Sequence, residues 1–246
     1  MTKLIQERIN YMPGKKRYIF QRNDIFTFSM DAVLLAKFAK VPKEEGKIVD
    51  LCAGNGAVPL MLSLRTNAKI DAVEIQKELC DLAEKSVEYN SLEKQISVIN
   101  QNIMKLSDEV KWGSYDLVTC NPPYYSINSH NRRNNNEKVS IARHELECTL
   151  EDVIRISSRL VKQTGRFAIV HRPERLVEII MCMIKCSLEP KVLQYVYPKR
   201  KKEPNMVFIE AVRNGGPGIK TLEPIYVYDN EGHHYTEEFK NHYEQW

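Results

Sequence analysis

The sequence predicts an α/β fold, in which a mostly parallel sheet of seven strands carries helices on both faces and ends in an antiparallel hairpin. Three observations indicate this fold. Short apolar runs bounded by turn residues recur along the chain, segments with helical spacing separate the earlier runs, and only a short connection joins the last two. Strands that alternate with helices usually form a parallel sheet.

The elements follow in chain order. The predicted strands are Lys47–Cys52, Lys69–Ile75, Ile96–Asn100, Tyr115–Cys120, Gly165–His171, Val192–Tyr197 and Asn205–Val212. Apolar residues recur on one helical face in Gln76–Asn90 and in Leu150–Lys162, and Met30–Phe38 is also amphipathic. The connection Pro198–Pro204 is much shorter than the roughly dozen residues of a parallel crossover, so the last two strands should pair antiparallel.

Composition excludes several classes of protein. The chain has 246 residues, of which 43% are hydrophobic and 28% charged, with 10 Gly and 11 Pro, which is typical of a globular protein rather than a disordered or collagen-like one. No apolar run approaches the roughly 18 residues of a membrane helix, and the polar start lacks a secretory signal. We therefore expect a soluble, cytoplasmic protein that does not bind a membrane.

Positive charge is concentrated in one segment. Residues 155–202 contain 12 basic and 3 acidic side chains, whereas the whole chain has a formal net charge of +4. This asymmetry indicates either an anionic partner or a solvated helix face with one basic loop.

Six cysteines show no CxxC spacing and no neighbouring histidine cluster, so they predict buried reduced thiols and no metal site.

A binding loop is predicted where the first of these strands meets a helix. Asp50–Gly56 (DLCAGNG) runs from the strand into a turn in which Gly54 and Gly56 let the backbone approach a ligand. Pro59 stands at the third position of GxGxxG, and no Gly-Lys-Ser/Thr follows, so a dinucleotide fingerprint is weak and a phosphate loop is excluded. The loop alone leaves the ligand open.

An acid on the next strand narrows the ligand to an adenosine. Glu74 lies 18 residues after Gly56, where a carboxylate can accept both ribose hydroxyls. Asn102, at the end of the third strand, could bond the adenine amino edge, although alone it would be read as a turn residue. An adenosine-containing cofactor is therefore expected.

The tetrapeptide Asn121-Pro122-Pro123-Tyr124 ends the fourth strand, at the edge where open α/β sheets bind ligands. An amide or aryl nitrogen is a poor nucleophile because its lone pair is delocalised. If the Asn121 oxygen and the Pro122 carbonyl accept its hydrogens, the charge that develops as the nitrogen attacks an electrophile is stabilised without a strong base. Tyr124 could stack on a planar target such as a flipped base. The alternative is a rigid turn that closes the strand.

The sequence resembles the S-adenosylmethionine (SAM)-dependent amino-methyltransferases that carry Asn-Pro-Pro-Tyr, and most of all the bacterial tRNA(Val) adenine-N(6) methyltransferase family. The resemblance extends over most of the chain, and the segments that carry it are Phe26–Ala36, Asp50–Gly56, Glu74, Asn121–Tyr124 and Ala142–Glu145. Two positions depart from the pattern, since Asn102 replaces the usual Asp and Cys52-Ala53 replace Gly-Thr/Ser. The resemblance implies a class I methyltransferase (Rossmann-like) fold, SAM as cofactor and tRNA as partner.

Candidate site residues follow from the motifs and the resemblance together. The catalytic candidates are Asn121, Pro122, Pro123 and Tyr124. The cofactor-binding candidates are Asp31, Asp50, Cys52, Ala53, Gly54, Asn55, Gly56, Glu74, Ile75, Asn102, Ile103 and Asn121. The substrate-binding candidates are Tyr124, Arg132 and Arg133 in a long loop, and Lys199, Arg200, Lys201 and Lys202 in the hairpin. Asp31 could equally cap the helix that follows it, and the basic residues could serve solubility alone.

The expected organisation is one SAM-dependent methyltransferase domain over residues 1–246. It comprises an N-terminal extension over the cofactor site (1–45), a catalytic core (46–213) and a C-terminal tail (214–246). The leading hypothesis is methylation of an adenine 6-amino group in tRNA. The alternatives are a protein glutamine-amide methyltransferase, which typically has a helical domain before the cofactor loop, DNA adenine or rRNA guanine methylation, and a noncatalytic SAM- or RNA-binding module.

Overall fold

A computed structural model describes residues 6–25, 27–43, 45–124, 148–229 and 234–246. The strands are β1 (Glu7–Tyr11), β2 (Tyr18–Arg22), β3 (Lys47–Leu51), β4 (Lys69–Glu74), β5 (Ile96–Asn100), β6 (Tyr115–Cys120), β7 (Val161–His171), β8 (Leu188–Tyr197), β9 (Met206–Arg213), β10 (Lys220–Thr221) and β11 (Ile225–Tyr226). The α-helices are α1 (Met30–Phe38), α2 (Ala57–Leu62), α3 (Lys77–Tyr89), α4 (Leu150–Leu160), α5 (Leu176–Lys185) and α6 (Glu237–Glu244).

The central sheet has the predicted topology. Its seven long strands lie in the order β5, β4, β3, β6, β7, β9, β8, and the first five of these are parallel to one another. Strand β9 is antiparallel to both of its neighbours, so the prediction of an antiparallel C-terminal hairpin is confirmed. The two-residue strands β10 and β11 add to β8 on the outer edge. Strands this short carry no alternation that a sequence could reveal.

Both faces of the sheet are covered, as predicted. Alternate strand residues point to opposite faces. Ile48, Ile70 and Leu117 pack in a cluster with α1 and α2, whereas Val49, Val73 and Val118 pack in a second cluster with α4 and α5. The two hydrophobic cores therefore lie on either side of a buried sheet, which holds the strand ends in a fixed arrangement.

Strand β7 begins earlier than predicted. It starts at Val161 instead of Gly165, and its pairing with β6 shifts register after Tyr115. Thr164 has φ 60°, in the left-handed region. This irregular start interrupts the strand pattern in the sequence, which explains the shorter prediction.

The N-terminal residues form a hairpin of β1 and β2 that the sequence analysis does not predict. Strand β2 lies against α3, where Asn90 accepts from the Tyr18 N–H at 2.9 Å and Ser86 accepts from the Phe20 N–H at 3.0 Å. All five residues of β1 are exposed, so its sequence lacks the apolar alternation of a half-buried strand. The hairpin encloses α3 between itself and the sheet.

The C-terminal residues pack onto the core instead of extending from it. Phe239 of α6 is fully buried in the same cluster as α1. Lys37 of α1 donates to the Gln245 carbonyl at 2.7 Å. Six consecutive residues of α1, Asp31 to Ala36, are therefore buried, although the sequence reads as amphipathic. Within the described ranges, no helix is long and apolar enough to cross a membrane.

Candidate active site

The loop between β3 and α2 adopts left-handed backbone angles at Cys52 (φ 57°), Gly54 (φ 57°) and Gly56 (φ 86°). A Cβ added to Gly56 would lie 3.3 Å from the Ala83 Cβ of α3, so glycine permits close helix packing there. At Gly54, an added Cβ would meet no described atom within 4 Å. Open space thus faces the Gly54 backbone, and a ligand can approach it.

Glu74 joins this loop to the end of β4. Its side chain is 5% exposed, and its two carboxylate oxygens accept from the Gly54 N–H at 2.8 Å and the Gln76 N–H at 2.9 Å. Burial raises the pKa of Glu74, while the backbone donors act in the opposite direction. The carboxylate is thereby held at the rim of the loop.

Two predicted asparagines form hydrogen bonds with backbone groups. The Asn55 amide, buried in the loop, donates to the Phe20 carbonyl of β2 at 3.0 Å, which binds the N-terminal hairpin to the loop. Asn102 Oδ1 accepts from the Met104 N–H at 2.8 Å and starts a short 3₁₀ turn over Ile103–Lys105. Its side-chain oxygen is therefore used in the turn, which leaves the amide nitrogen for a ligand.

Asp50 lies inside the sheet rather than in the loop. It is 1% exposed, its Oδ1 accepts from the Thr119 hydroxyl at 2.6 Å, and its Oδ2 has no hydrogen-bond partner among the described residues. Burial raises the pKa of Asp50 to about 8. This aspartate links β3 to β6 beneath the site.

The tetrapeptide Asn121–Tyr124 follows β6 directly. The Tyr124 hydroxyl donates to Asp31 of α1, and its oxygen lies 2.7 Å from Asn121 Oδ1. Burial raises the pKa of Tyr124 well above its usual value, and the adjacent Asp31 raises it further. The phenol therefore keeps its proton at physiological pH.

The Tyr124 ring contacts two residues that sequence reasoning missed. The His171 ring lies 5.3 Å away at an angle of 62°, and the Arg172 guanidinium lies 5.3 Å from the Tyr124 ring centre. Burial lowers the pKa of His171 to about 3, and Arg175 and Arg172 lower it as well, so the imidazole is neutral. Their only signal in the sequence is their place at the end of the fifth predicted strand.

A cavity of about 670 Å³ brings these parts together. Predicted site residues that line it are Asp31, Cys52, Ala53, Gly54, Asn55, Glu74, Ile75, Asn102, Ile103, Asn121, Pro122, Pro123 and Tyr124. Of the predicted cofactor-binding residues, all of which the structure describes, only Asp50 and Gly56 are absent from the lining. The cofactor loop and the tetrapeptide therefore share one cavity.

Of the basic residues predicted to bind the substrate, those that the structure describes are not in the lining of the cavity. Lys199 to Lys202 form a turn whose flanking residues, Pro198 and Asn205, line the cavity, so the four cations stand at its rim. Arg132 and Arg133 lie outside the described residues. The sequence did not indicate that Val227 and Tyr228 of the tail also line the cavity.

In the part of the chain that the structure describes, no three His, Cys, Asp or Glu side chains are grouped to hold a metal ion.

Two relatives cover nearly the whole chain. A protein of Parabacteroides distasonis named tRNA1(Val) (adenine(37)-N6)-methyltransferase is 29% identical over 231 residues, which are 93% of this chain and 94% of its own. A protein of the same name from Flavobacterium psychrophilum is 25% identical and covers 85% of this chain and 87% of its own.

Solved methyltransferase structures share the fold. A predicted O-methyltransferase of Agrobacterium tumefaciens has a TM-score of 0.67 at 20% identity, covering 87% of this chain and 95% of that one. Geranyl diphosphate C-methyltransferase of Streptomyces coelicolor, solved with S-adenosyl-L-homocysteine, has a TM-score of 0.57 at 14% identity over 74% of this chain and 78% of that one. The predicted methyltransferase fold is thus confirmed. A family profile for the methyltransferase small domain matches residues 28–182, well over half of the chain, and the protein belongs to that family.

Proposed function

We propose that this methyltransferase transfers a methyl group from SAM to the exocyclic 6-amino group of an adenine in tRNA. One observation carries the proposal: the Asn121–Tyr124 tetrapeptide and the Gly54–Glu74 pair line the same cavity. The first provides acceptors for an amine, and the second provides the features of an adenosine site. The names of the relatives from P. distasonis and F. psychrophilum support tRNA adenine as the acceptor.

The residues present fit SAM. Open space faces the Gly54 backbone, and Glu74, Asn102 and Ile103 line the same cavity, which supports their assignment to the ribose hydroxyls and the adenine. When bound, SAM supplies an electrophilic methyl group on a positively charged sulfur. The part of the lining around Asn121 is left for the acceptor.

The tetrapeptide then acts on the target amine. The Asn121 oxygen and the Pro122 carbonyl accept its two N–H groups, and these acceptors stabilise the positive charge that develops on the nitrogen as it attacks. The bond from the methyl group to sulfur breaks as the bond to nitrogen forms, so a neutral thioether leaves and the methylated amine must release one proton. Burial lowers the pKa of His171 to about 3, so this imidazole is too weak a base to take that proton, which passes to water. Positioning and fixed acceptors therefore account for most of the catalysis.

Part of the cavity wall lies outside the family match. Pro198, Asn205, Met206, Val227 and Tyr228 line the cavity, and all lie beyond residue 182. Arg172, whose guanidinium lies 5.3 Å from the Tyr124 ring centre, donates to the Asn205 carbonyl at 2.9 Å, which supports placing this wall on the acceptor side. The shared domain thus provides the cofactor loop and the tetrapeptide, whereas the hairpin and tail shape the acceptor side. The basic turn at Lys199–Lys202 stands on this side, where it favours a polyanionic acceptor. We infer that the hairpin and tail select tRNA.

Tritiated SAM and unmodified tRNA test the proposal directly. We expect labelled N6-methyladenosine in the nucleosides of the tRNA, sensitive to nuclease and resistant to protease. The Asn121→Ala variant should lose about 100-fold or more in single-turnover rate, comparable with the removal of one preorganised electrostatic partner. The exposed Asn241→Ala variant serves as the matched control and should keep full activity. Label in protein, or an undiminished rate in Asn121→Ala, would overturn the proposal.

A further inference from the structure

The oxygens of three side chains meet at the acceptor end of the cavity. The Tyr124 phenol oxygen is within hydrogen-bond distance of Asp31 Oδ2 and 2.7 Å from Asn121 Oδ1. A phenol has a single proton, and an ionised carboxylate can only accept. Hydrogen bonds to a charged acceptor are roughly twice as strong as those between neutral groups. The Tyr124 hydroxyl therefore donates its hydrogen bond to Asp31.

This assignment determines the orientation of the Asn121 amide. With the phenol proton directed at Asp31, an amide oxygen at 2.7 Å would face an oxygen lone pair. Rotation of the amide about its last bond exchanges its nitrogen and oxygen without moving the framework, and the hydrogen-bond network decides between the two orientations. The favoured one places the Asn121 N–H against the phenol oxygen. Its oxygen then turns away from Tyr124 to accept the target amine in the cavity that Asn121 lines.

Asp31 is held in a position that fixes the direction of these hydrogen bonds. It is 8% exposed in the first turn of α1, and its other oxygen accepts from the Ser29 hydroxyl and from the Ala32 N–H at 2.8 Å. Both oxygens are thus engaged by the protein. A buried carboxylate held at several points keeps its partner in one geometry.

We propose that Asp31 is a positioning residue, which directs the Tyr124 hydroxyl and thereby presents the Asn121 amide oxygen to the target amine. The role in methylation rests on the proposed function, whereas the hydrogen-bond order does not. It differs from the direct cofactor contact that the sequence suggests for Asp31.

The direction of the hydrogen bonds among Asp31, Tyr124 and Asn121 can be tested without an activity assay. In protein labelled with ¹⁵N-asparagine, the Asn121→Ala variant identifies the side-chain amide signals of Asn121. We expect these signals to shift when Tyr124→Phe removes the acceptor oxygen, and also when Asp31→Asn removes the charge. Tyr115→Phe is the matched control, since the Tyr115 hydroxyl donates to Asp71 at 2.6 Å inside the sheet, away from the cavity lining. Signals that stay unchanged in Tyr124→Phe would overturn the proposal.

A double-mutant cycle tests the role in catalysis. Asp31→Asn and Tyr124→Phe should each lower kcat by about 10- to 100-fold, since a small misplacement at the reacting centre has effects of this size. The double variant should be no slower than the worse single one, because both act through one hydroxyl. The dissociation constant of SAM should stay within about threefold, as expected for uncoupled sites. Effects on kcat that multiply, or a large decrease in SAM affinity, would refute a positioning role.

Further measurements distinguish a folding defect and a failure of the proposed function from a failure of this proposal. Tyr124→Phe keeps the packed ring, so it breaks the same hydrogen bond even where Asp31→Asn is poorly folded. Tyr115→Phe should lower the free energy of unfolding, because it leaves the Asp71 carboxyl without its hydrogen-bond donor, yet leave kcat unchanged. If the wild-type protein leaves tRNA adenine unmethylated, the proposed function fails, and the amide signals still decide whether Asp31 directs the Tyr124 hydroxyl.

Discussion

Asp50 is a buried acid that links β3 to β6 beneath the site and is protonated at neutral pH. Burial raises its pKa to about 8, whereas an aspartate in an unfolded chain titrates near pH 4. Between these values the native state binds one proton more than the unfolded state, so stability falls as pH rises. The expected slope from this residue is at most about −1.4 kcal/mol per pH unit.

Urea unfolding at pH 5.5, 6.5 and 7.5 measures this slope. The free energy of unfolding of the wild type should decrease over this range relative to that of Asp50→Asn, which cannot titrate. Asp116→Asn is a suitable control. Although burial acts to raise the pKa of Asp116, hydrogen bonds from Lys162 and the Lys47 N–H lower it, so this acid is ionised in both states here. Parallel curves for wild type and Asp50→Asn would show that Asp50 is already charged.

Local chemistry explains which site residues the sequence reveals. Gly54 and Glu74 are recognisable because a glycine turn and an acid at a fixed spacing mark a binding loop. Asn121 is recognisable because two prolines follow it at a strand end. Arg172 and Tyr228 reach the cavity, and His171 reaches the Tyr124 ring, only through the folding of distant strands and the tail. Convergence of this kind leaves no local pattern, so these three residues require the structure.

The basic turn between β8 and β9 makes a prediction at the scale of an element. Replacement of Lys199, Arg200, Lys201 and Lys202 by Gln should raise the KM for tRNA and weaken its dependence on salt. The log–log salt slope of tRNA binding should fall by about one for each phosphate that these cations neutralise in the wild type. The single-turnover rate at saturating tRNA should remain, because these side chains stand at the rim rather than in the lining.

A charge-matched variant controls for net charge. Lys43, Lys47, Lys69 and Lys94 lie at or just before the starts of β3, β4 and β5, at the edge of the sheet opposite the cavity. Their replacement by Gln removes the same charge and should leave the salt slope and the KM nearly unchanged. Equal effects from both variants would mean that the overall charge attracts tRNA and that the turn has no special part.

Helix α5 shows why some elements escape sequence reasoning. Its buried Ile179 and Met183 pack on the sheet, yet Val177, Met181 and Ile184 on the opposite side are 70%, 66% and 57% exposed. Apolar residues on both faces conceal the helical period. Helices α3 and α4 have polar outer faces instead, and their predicted ranges agree with the structure to within two residues at each end. Periodicity thus reveals α3 and α4, whose outer faces are polar and solvated, but not α5, whose outer face is apolar.

The whole molecule depends on contacts between its two ends and the core. The N-terminal hairpin reaches the cofactor loop through Asn55, and the tail reaches the acceptor side through Val227 and Tyr228. The Thr236 N–H donates to the Val227 carbonyl at 3.0 Å, which joins the cavity wall to the start of α6. Cofactor loop, acceptor wall and tail should therefore respond together to one perturbation.

Phe239 tests this coupling, because its ring is fully buried and far along the chain from the catalytic motif. Phe239→Ala should lower the free energy of unfolding by about 3–5 kcal/mol, the usual effect of removing a buried phenylalanine side chain. It should also raise the KM for tRNA, since α6 supports the wall at Val227 and Tyr228. Denaturant unfolding and steady-state kinetics measure the two effects.

The control is Ile219→Ala, at a 47% exposed position, which should change stability by no more than about 0.5 kcal/mol. If Phe239→Ala instead melts α6 alone and leaves the main transition in place, the tail is an independent appendage, and tRNA selection must lie in the hairpin between β8 and β9.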